Sequence, residues 1–283
     1  MTTGAVKAGF RSPRGALLFY LAMIIFVVLT LFPIYWVFKM SIVTETEMRA
    51  VPPKWLPSDI TLDAYDRIFG DNRFQKGIVN SIIVAGFTTV LCLGVGALAA
   101  YALARIKFFL RAPVLSLVLA IAFFPQVAIL APLFLQFNSA GLYDTYWAMI
   151  IPNTLFASPL AVYLLVAYFR ELPLELEEAA KVDGASPWQA FRKVTLPLAI
   201  PGVVTTGILT FIFAWNEFLF ANTFTLSPVT QPATVVIPNF ASQYTTDYAA
   251  QAAAALVVTL PLALLVLIFQ RKIVSGLTAG ASR

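Results

Sequence analysis

Charged residues are spaced along the chain so that six long stretches contain none: 16–38, 77–104, 112–143, 145–169, 194–216 and 248–270. A helix rises about 1.5 Å per residue, so roughly 20 residues cross the about 30 Å of hydrocarbon in a bilayer. Every stretch exceeds that length. The pattern predicts spanning helices at 16–38, 78–104, 113–137, 146–169, 199–221 and 250–270. It leaves tails at 1–15 and 271–283, a polar connection at 40–76 and another at 170–198. The expected class is an all-α polytopic membrane protein whose six-helix unit covers 16–270.

Composition agrees with that reading. Of 283 residues, 60% are hydrophobic and 12% charged, against roughly 25% charged in a soluble domain, and the mean hydropathy is +0.83. The chain has no His and one Cys, Cys92. A His-based metal site, a Ser-His-Asp triad and a disulfide framework are therefore excluded. In a membrane chain the net charge of +5 bears on which side the basic residues occupy and does not indicate a nucleic-acid partner.

Basic residues alternate between connections. Lys7, Arg11 and Arg14 precede the first run; Arg105, Lys107 and Arg111 follow the second; Arg170, Lys181, Arg192 and Lys193 follow the fourth; Arg271, Lys272 and Arg283 end the chain. The third and fifth connections have none. Positive residues are retained on the cytoplasmic side, so both termini are expected there. The 40–76 connection departs from the alternation, since its Lys and Arg residues are interspersed with acidic ones. The first run is too long for a signal peptide and no small-x-small cleavage site follows it, so it reads as a retained helix.

Lipid supplies no hydrophobic drive between helices, which must associate through close approach and polar contacts. Gly96, Ala100 and Ala104 recur every four residues beside Gly94, Ala97 and Ala99, and the last run opens with Ala249, Ala250 and 252–255, all Ala. These stripes predict tight internal packing. Pro33, Pro125, Pro132, Pro159 and Pro261 lie inside apolar runs, where each removes a backbone donor and can kink its helix.

The 170–201 segment has consistent local signals. Pro173 suits a first helical position, Glu175, Glu177 and Glu178 suit the positive end of the dipole, Lys181 suits the other end, and Gly184 can terminate the helix. A helix over 173–183 follows. Ser186-Pro187-Trp188-Gln189 reads as a capping box that starts a second helix, interrupted by Pro197.

Within this unit stands Glu178-Ala179-Ala180, three residues, Gly184, nine residues, Val194, one residue, Leu196-Pro197. The pattern resembles the EAA loop of permease subunits of binding-protein-dependent ABC importers, and departs from it only in Val194 for Ile. The 213–218 segment Phe-Ala-Trp-Asn-Glu-Phe, the 183–186 segment Asp-Gly-Ala-Ser and the ending at 269–281 are similar to the carbohydrate-uptake branch, most of all to the MalG-like second permease of maltose and trehalose importers. The resemblance implies a non-catalytic subunit in a prokaryotic cell membrane. Its partners would be a homologous second permease, two ATPase subunits that hold ATP and Mg, an extracytoplasmic sugar-binding protein and the lipid bilayer. It further implies a coupling helix that docks on the ATPase, carried here by Glu178, Ala179, Ala180, Asp183, Gly184, Ala185, Val194, Leu196 and Pro197. Ser275, Gly276 and Leu277 would give a second ATPase contact from the carboxy-terminal tail.

The chain has no GxxxxGK[ST] segment, so it lacks a phosphate-binding loop of that type and needs a partner or an ion gradient for energy. The alternative reading, an ion-coupled carrier or channel, needs an ionisable group in the membrane, and Glu217 is the candidate in the predicted spans. A membrane enzyme would need a catalytic cluster at a membrane face, and the acidic group at 175–178 is accounted for by helix capping. Trp215, Asn216 and Glu217 are candidates for the translocation pathway. Structural, gating, sugar-contacting and proton-coupling roles all remain open for Asn216 and Glu217.

Overall fold

A computed structural model describes residues 13–240 and 247–279, with side chains over 15–240 and 247–270. Its elements are helical: α1 (Pro13–Ser41), α2 (Glu45–Met48), α3 (Asp63–Gly70), α4 (Asn72–Arg105), α5 (Arg111–Ile121), a 3-10 turn (Gln126–Ile129), α6 (Leu130–Ser139), α7 (Tyr146–Glu171), α8 (Leu174–Val182), α9 (Pro187–Ala190), a π-helical turn (Phe191–Thr195), α10 (Leu196–Leu198), α11 (Ile200–Trp215), α12 (Leu219–Phe224), α13 (Ala233–Val236), a second 3-10 turn (Ile237–Phe240) and α14 (Tyr248–Ala279). Among the described residues the one β feature is an isolated bridge between Val43 and Ile60.

Among the described residues four helices, α1, α4, α7 and α14, are long and apolar enough to cross a membrane, and two bent pairs, each counted as one span, bring the candidates to six. The third apolar run is not the continuous helix expected at 113–137. It breaks between Ile121 and Gln126, and its halves meet at 87°. Pro125 explains the break: it has no N–H to bond backwards, its own backbone is extended (ψ 115°), and it disfavours helical backbone in the residue before it. The fifth span also differs from the expected 199–221. It ends at Trp215, and the chain restarts as α12 after Phe218. α4 begins at Asn72, earlier than the expected 78, because Asp71 caps it by accepting a hydrogen bond from the Arg73 amide.

α4 is the hub, packing against α7, α11 and α13. Most of the small-residue positions lie in helix contacts, whereas Gly94 is exposed and faces open space. Gly96 faces Ala161, Val162 and Leu165 of α7, and Ala97 and Ala100 are buried in the same cluster. On α14, Ala249, Ala250, Ala253 and Ala254 are buried with Trp215, Phe74 and Ile68. In α11 the buried hydroxyls of Thr205 and Thr210 donate to the carbonyls of Pro201 and Thr206, both at 2.9 Å, so these two hydroxyls are satisfied within their own helix. α1 packs on α14, and its apolar window is otherwise exposed, as suits a helix whose solvent is lipid.

Candidate coupling site

α8 starts one residue later than the sequence predicts. Pro173 occupies the N-cap with extended backbone (φ −56°, ψ 128°), and Glu175 and Glu177 fill the first turn. At the other end Gly184 is left-handed, φ +86°. Its amide donates to the Lys181 carbonyl at 3.1 Å, and the Ala185 amide donates to that of Ala180 at 2.9 Å. Two otherwise orphaned carbonyls are thereby paired, and the chain reverses direction. The capping box is present as predicted: the Gln189 amide donates to Ser186 Oγ at 3.3 Å, and the Ser186 amide donates to Gln189 Oε1 at 2.8 Å.

The second helix does not continue regularly into the bundle. After α9 it widens into the π-helical turn that contains Val194, and α10 with its Leu196-Pro197 follows. At Ala199 the chain bends 75° into α11. Pro197 and Pro201 flank the bend, and neither can donate the backbone bond that a straight helix would need.

Of the predicted coupling residues, Glu178, Ala179, Asp183, Gly184 and Pro197 are exposed, while Ala180, Ala185, Val194 and Leu196 are half-buried. Ala180, Asp183, Gly184, Ala185 and Val194 line one groove of about 350 Å³ with Gln189 and Lys193. In the same unit two apolar side chains lie uncovered: Val182 is 87% and Trp188 56% exposed. Exposed apolar surface next to backbone accessible through small side chains is what a docking face requires.

Glu177, in the first turn of α8 as the sequence predicts, has a further role. It is 2% exposed, with Oε2 3.1 Å from Arg105 Nε, and it accepts a hydrogen bond from the Tyr101 hydroxyl. Arg105 also donates from Nη2 to the Leu172 carbonyl at 2.9 Å. The Tyr101 ring packs against Phe191 (4.7 Å between centroids) and Phe169 (6.2 Å). A usable signal was present in the sequence, since Tyr101 and Arg105 are four apart on one helical face at the end of an apolar run.

The three pathway candidates separate. Trp215 is buried, and its Nε1 donates to the Val258 carbonyl of α14 at 3.3 Å, so it is a packing element. Asn216 is exposed and donates to the Ile212 carbonyl at 2.7 Å. Glu217 caps α12, accepting from the Phe220 amide at 2.7 Å and the Ala221 amide at 3.1 Å. It shares a cavity of about 10 Å³ with Asn153 and Ser81, which is water-sized rather than sugar-sized. Ser275, Gly276 and Leu277 fall in the backbone of α14, and their side chains lie outside the described residues.

Residues 92–278 match the family of the binding-protein-dependent transport system inner membrane component. The trehalose transport system permease protein SugB of Mycobacterium tuberculosis (strain CDC 1551 / Oshkosh) is 45% identical over 253 residues, covering 89% of this chain and 92% of its own. The sulfoquinovosyl glycerol transport system permease protein SmoH of Agrobacterium fabrum is 38% identical over 99% of both chains. The trehalose/maltose transport system permease protein MalG of Thermococcus litoralis is 35% identical over 94% of this chain and 96% of its own. Among solved structures, a bacterial ABC transporter involved in import of the acidic polysaccharide alginate has a TM-score of 0.79 at 24% identity, covering 93% of this chain and 98% of that one; the fold is therefore shared. This chain belongs to the family of inner membrane components of binding-protein-dependent transport systems.

Proposed function

We propose that this chain is the permease subunit of an ATP-driven sugar importer, carrying a di- or oligosaccharide such as trehalose or maltose. With a homologous second permease it forms the pathway, receives sugar from an extracytoplasmic binding protein, and is driven by two ATPase subunits that bind ATP and Mg. Both termini lie in the cytoplasm. The observation that carries the reading is the capped helix–turn–helix at 174–198, whose groove and uncovered Val182 and Trp188 suit a partner protein's surface. Relatives named for trehalose and maltose transport support the substrate class. Glu178, Ala179, Ala180, Asp183, Gly184, Ala185, Val194, Leu196 and Pro197 serve the ATPase contact, and Ser275, Gly276 and Leu277 add to it from the last turns of α14.

A rigid unit can pass on a displacement as a rigid body, which a loose loop cannot. The Gly184 turn and the Ser186 box give that rigidity. Affinity purification of the chain from its native membranes in mild detergent tests the assembly. Recovery of an ATPase and a second permease at fixed stoichiometry is expected. Recovery of the chain alone, with solute transport intact, would overturn the reading.

A further inference from the structure

The buried contact of Glu177 with Tyr101 and Arg105 points to a second mechanical route out of the coupling unit. We propose that Glu177 is a positioning residue that locks α8 to the end of α4, so that a displacement of the unit is passed into α4 and not only along the chain into α11. The inference rests on the reading of α8 as the ATPase-coupling helix.

Chain continuity alone is a poor transmitter toward α11. Between the capped unit and α11 lie a π-helical turn and the 75° bend at Ala199, each able to absorb motion. The joint to α4 is instead a direct, buried charge pair, with the Arg105 side chain 11% and that of Glu177 2% exposed. Arg105 holds Glu177 and the Leu172 carbonyl at once, tying α4, the end of α7 and α8 at one point. Tyr101 adds a hydroxyl bond to the same carboxylate, and its ring lies against Phe169 and Phe191. Lys181, 3.9 Å from Glu177 and 45% exposed, is a weaker partner screened by solvent. A carboxylate buried with its partner repays its desolvation only in a defined geometry, so such a pair specifies position more than it adds stability. α4 then distributes the motion, because α7, α11 and α13 all pack on it.

The test uses the complete complex in lipid vesicles, with the sugar-binding protein loaded with trehalose. Glu177→Gln and Arg105→Gln are expected to lower the maximal stimulated ATP hydrolysis at least tenfold with KM for ATP unchanged, and the reversed pair R105E/E177R to restore at least a third of the wild-type rate. Spin labels at Leu176 and Val95, both exposed, in a Cys92→Ala background, report the joint directly: one narrow distance with and without ATP in the wild type, a broadened one in E177Q. Stimulated hydrolysis and label distance both unchanged in E177Q would overturn the lock. So would a loss that the reversed pair fails to restore, including failure of E177Q to assemble. Absence of ATPase from the wild-type complex would overturn the underlying coupling reading instead.

Discussion

The ring of Tyr168 on α7 occupies the space over Gly202 on α11: a Cβ added at Gly202 would lie 2.3 Å from the ring's Cγ and 2.6 Å from both Cδ atoms. Cγ sits at the root of the side chain, so the ring cannot swing clear without changing rotamer. Gly202→Ala is expected to destabilise the bundle by about 1–3 kcal/mol through overpacking, and pairing it with Tyr168→Ala should recover much of the loss. Gly96→Ala, whose nearest neighbour would be 3.8 Å away, should be tolerated. Thermal unfolding in detergent separates the two, and equal melting of both single variants would contradict the packing.

Gly184 is needed for a different reason. Nothing lies within 4 Å of its added Cβ, but its φ is +86°, where a β-branched residue costs about 1–2 kcal/mol or distorts the turn. Gly184→Val should reach the membrane at wild-type levels and lose sugar-stimulated ATP hydrolysis in the assembled complex. Gly184→Asn should keep a measurable part of it, since Asn tolerates that region. Unimpaired coupling in Gly184→Val would contradict the assignment of the turn.

On the opposite face, Glu47 is buried and accepts from the Asp59 and Ser58 amides and from the Ser58 hydroxyl, with Lys39 Nζ 3.7 Å away. The Asp59 amide first, then the opposing effect of burial, then Ser58 and Lys39, leave its pKa pulled down from 4.5 to about 2. A carboxylate with a depressed folded value contributes fully above its unfolded value and loses the contribution as pH falls through the folded one. The window is therefore pH 4.5 down to about 2. The melting temperature of the wild type should exceed that of Glu47→Gln at pH 6, with the gap closing as pH falls through this window. A gap independent of pH would contradict the arrangement.

Asp144 has φ +58° and accepts from the Leu226 amide (2.9 Å), the Ser227 amide (3.1 Å) and Thr230 Oγ1 (2.6 Å). It pins the connection after α12, together with Asn80, which donates to the Val229 and Gln231 carbonyls. Asp144→Ala removes three bonds worth about 0.5–1.5 kcal/mol each. Hydrogen exchange at Leu226 and Ser227 should quicken at least tenfold while the amides of α7 keep their protection. Unchanged exchange at those two amides would show that Asp144 does not hold the connection.

Spans with no polar interruption were legible in the sequence, because length and charge spacing alone determine them. So was the capped unit at 174–189, whose signals are local: Gly184 and the Ser186 to Gln189 pair act within a few residues. The break at 122–125 was harder to place, since Pro125 sits in a run that remains apolar on both sides, and hydropathy does not distinguish a bent pair from a continuous helix. Glu177 does sit in the first turn as expected, but its burial against Tyr101 and Arg105 was not legible, because it depends on the approach of α4. Trp215 likewise needed a tertiary contact, with Val258, while the local capping by Glu217 became visible only once the span was seen to end at Trp215 and restart as α12.

Reconstitution in vesicles is the most direct test of nucleotide-driven coupling. Trehalose should accumulate against its gradient only when this chain is assembled with the second permease, the ATPase subunits, the loaded binding protein and ATP, and should not accumulate with any one of them removed. Accumulation by this chain alone, without nucleotide, would contradict the account.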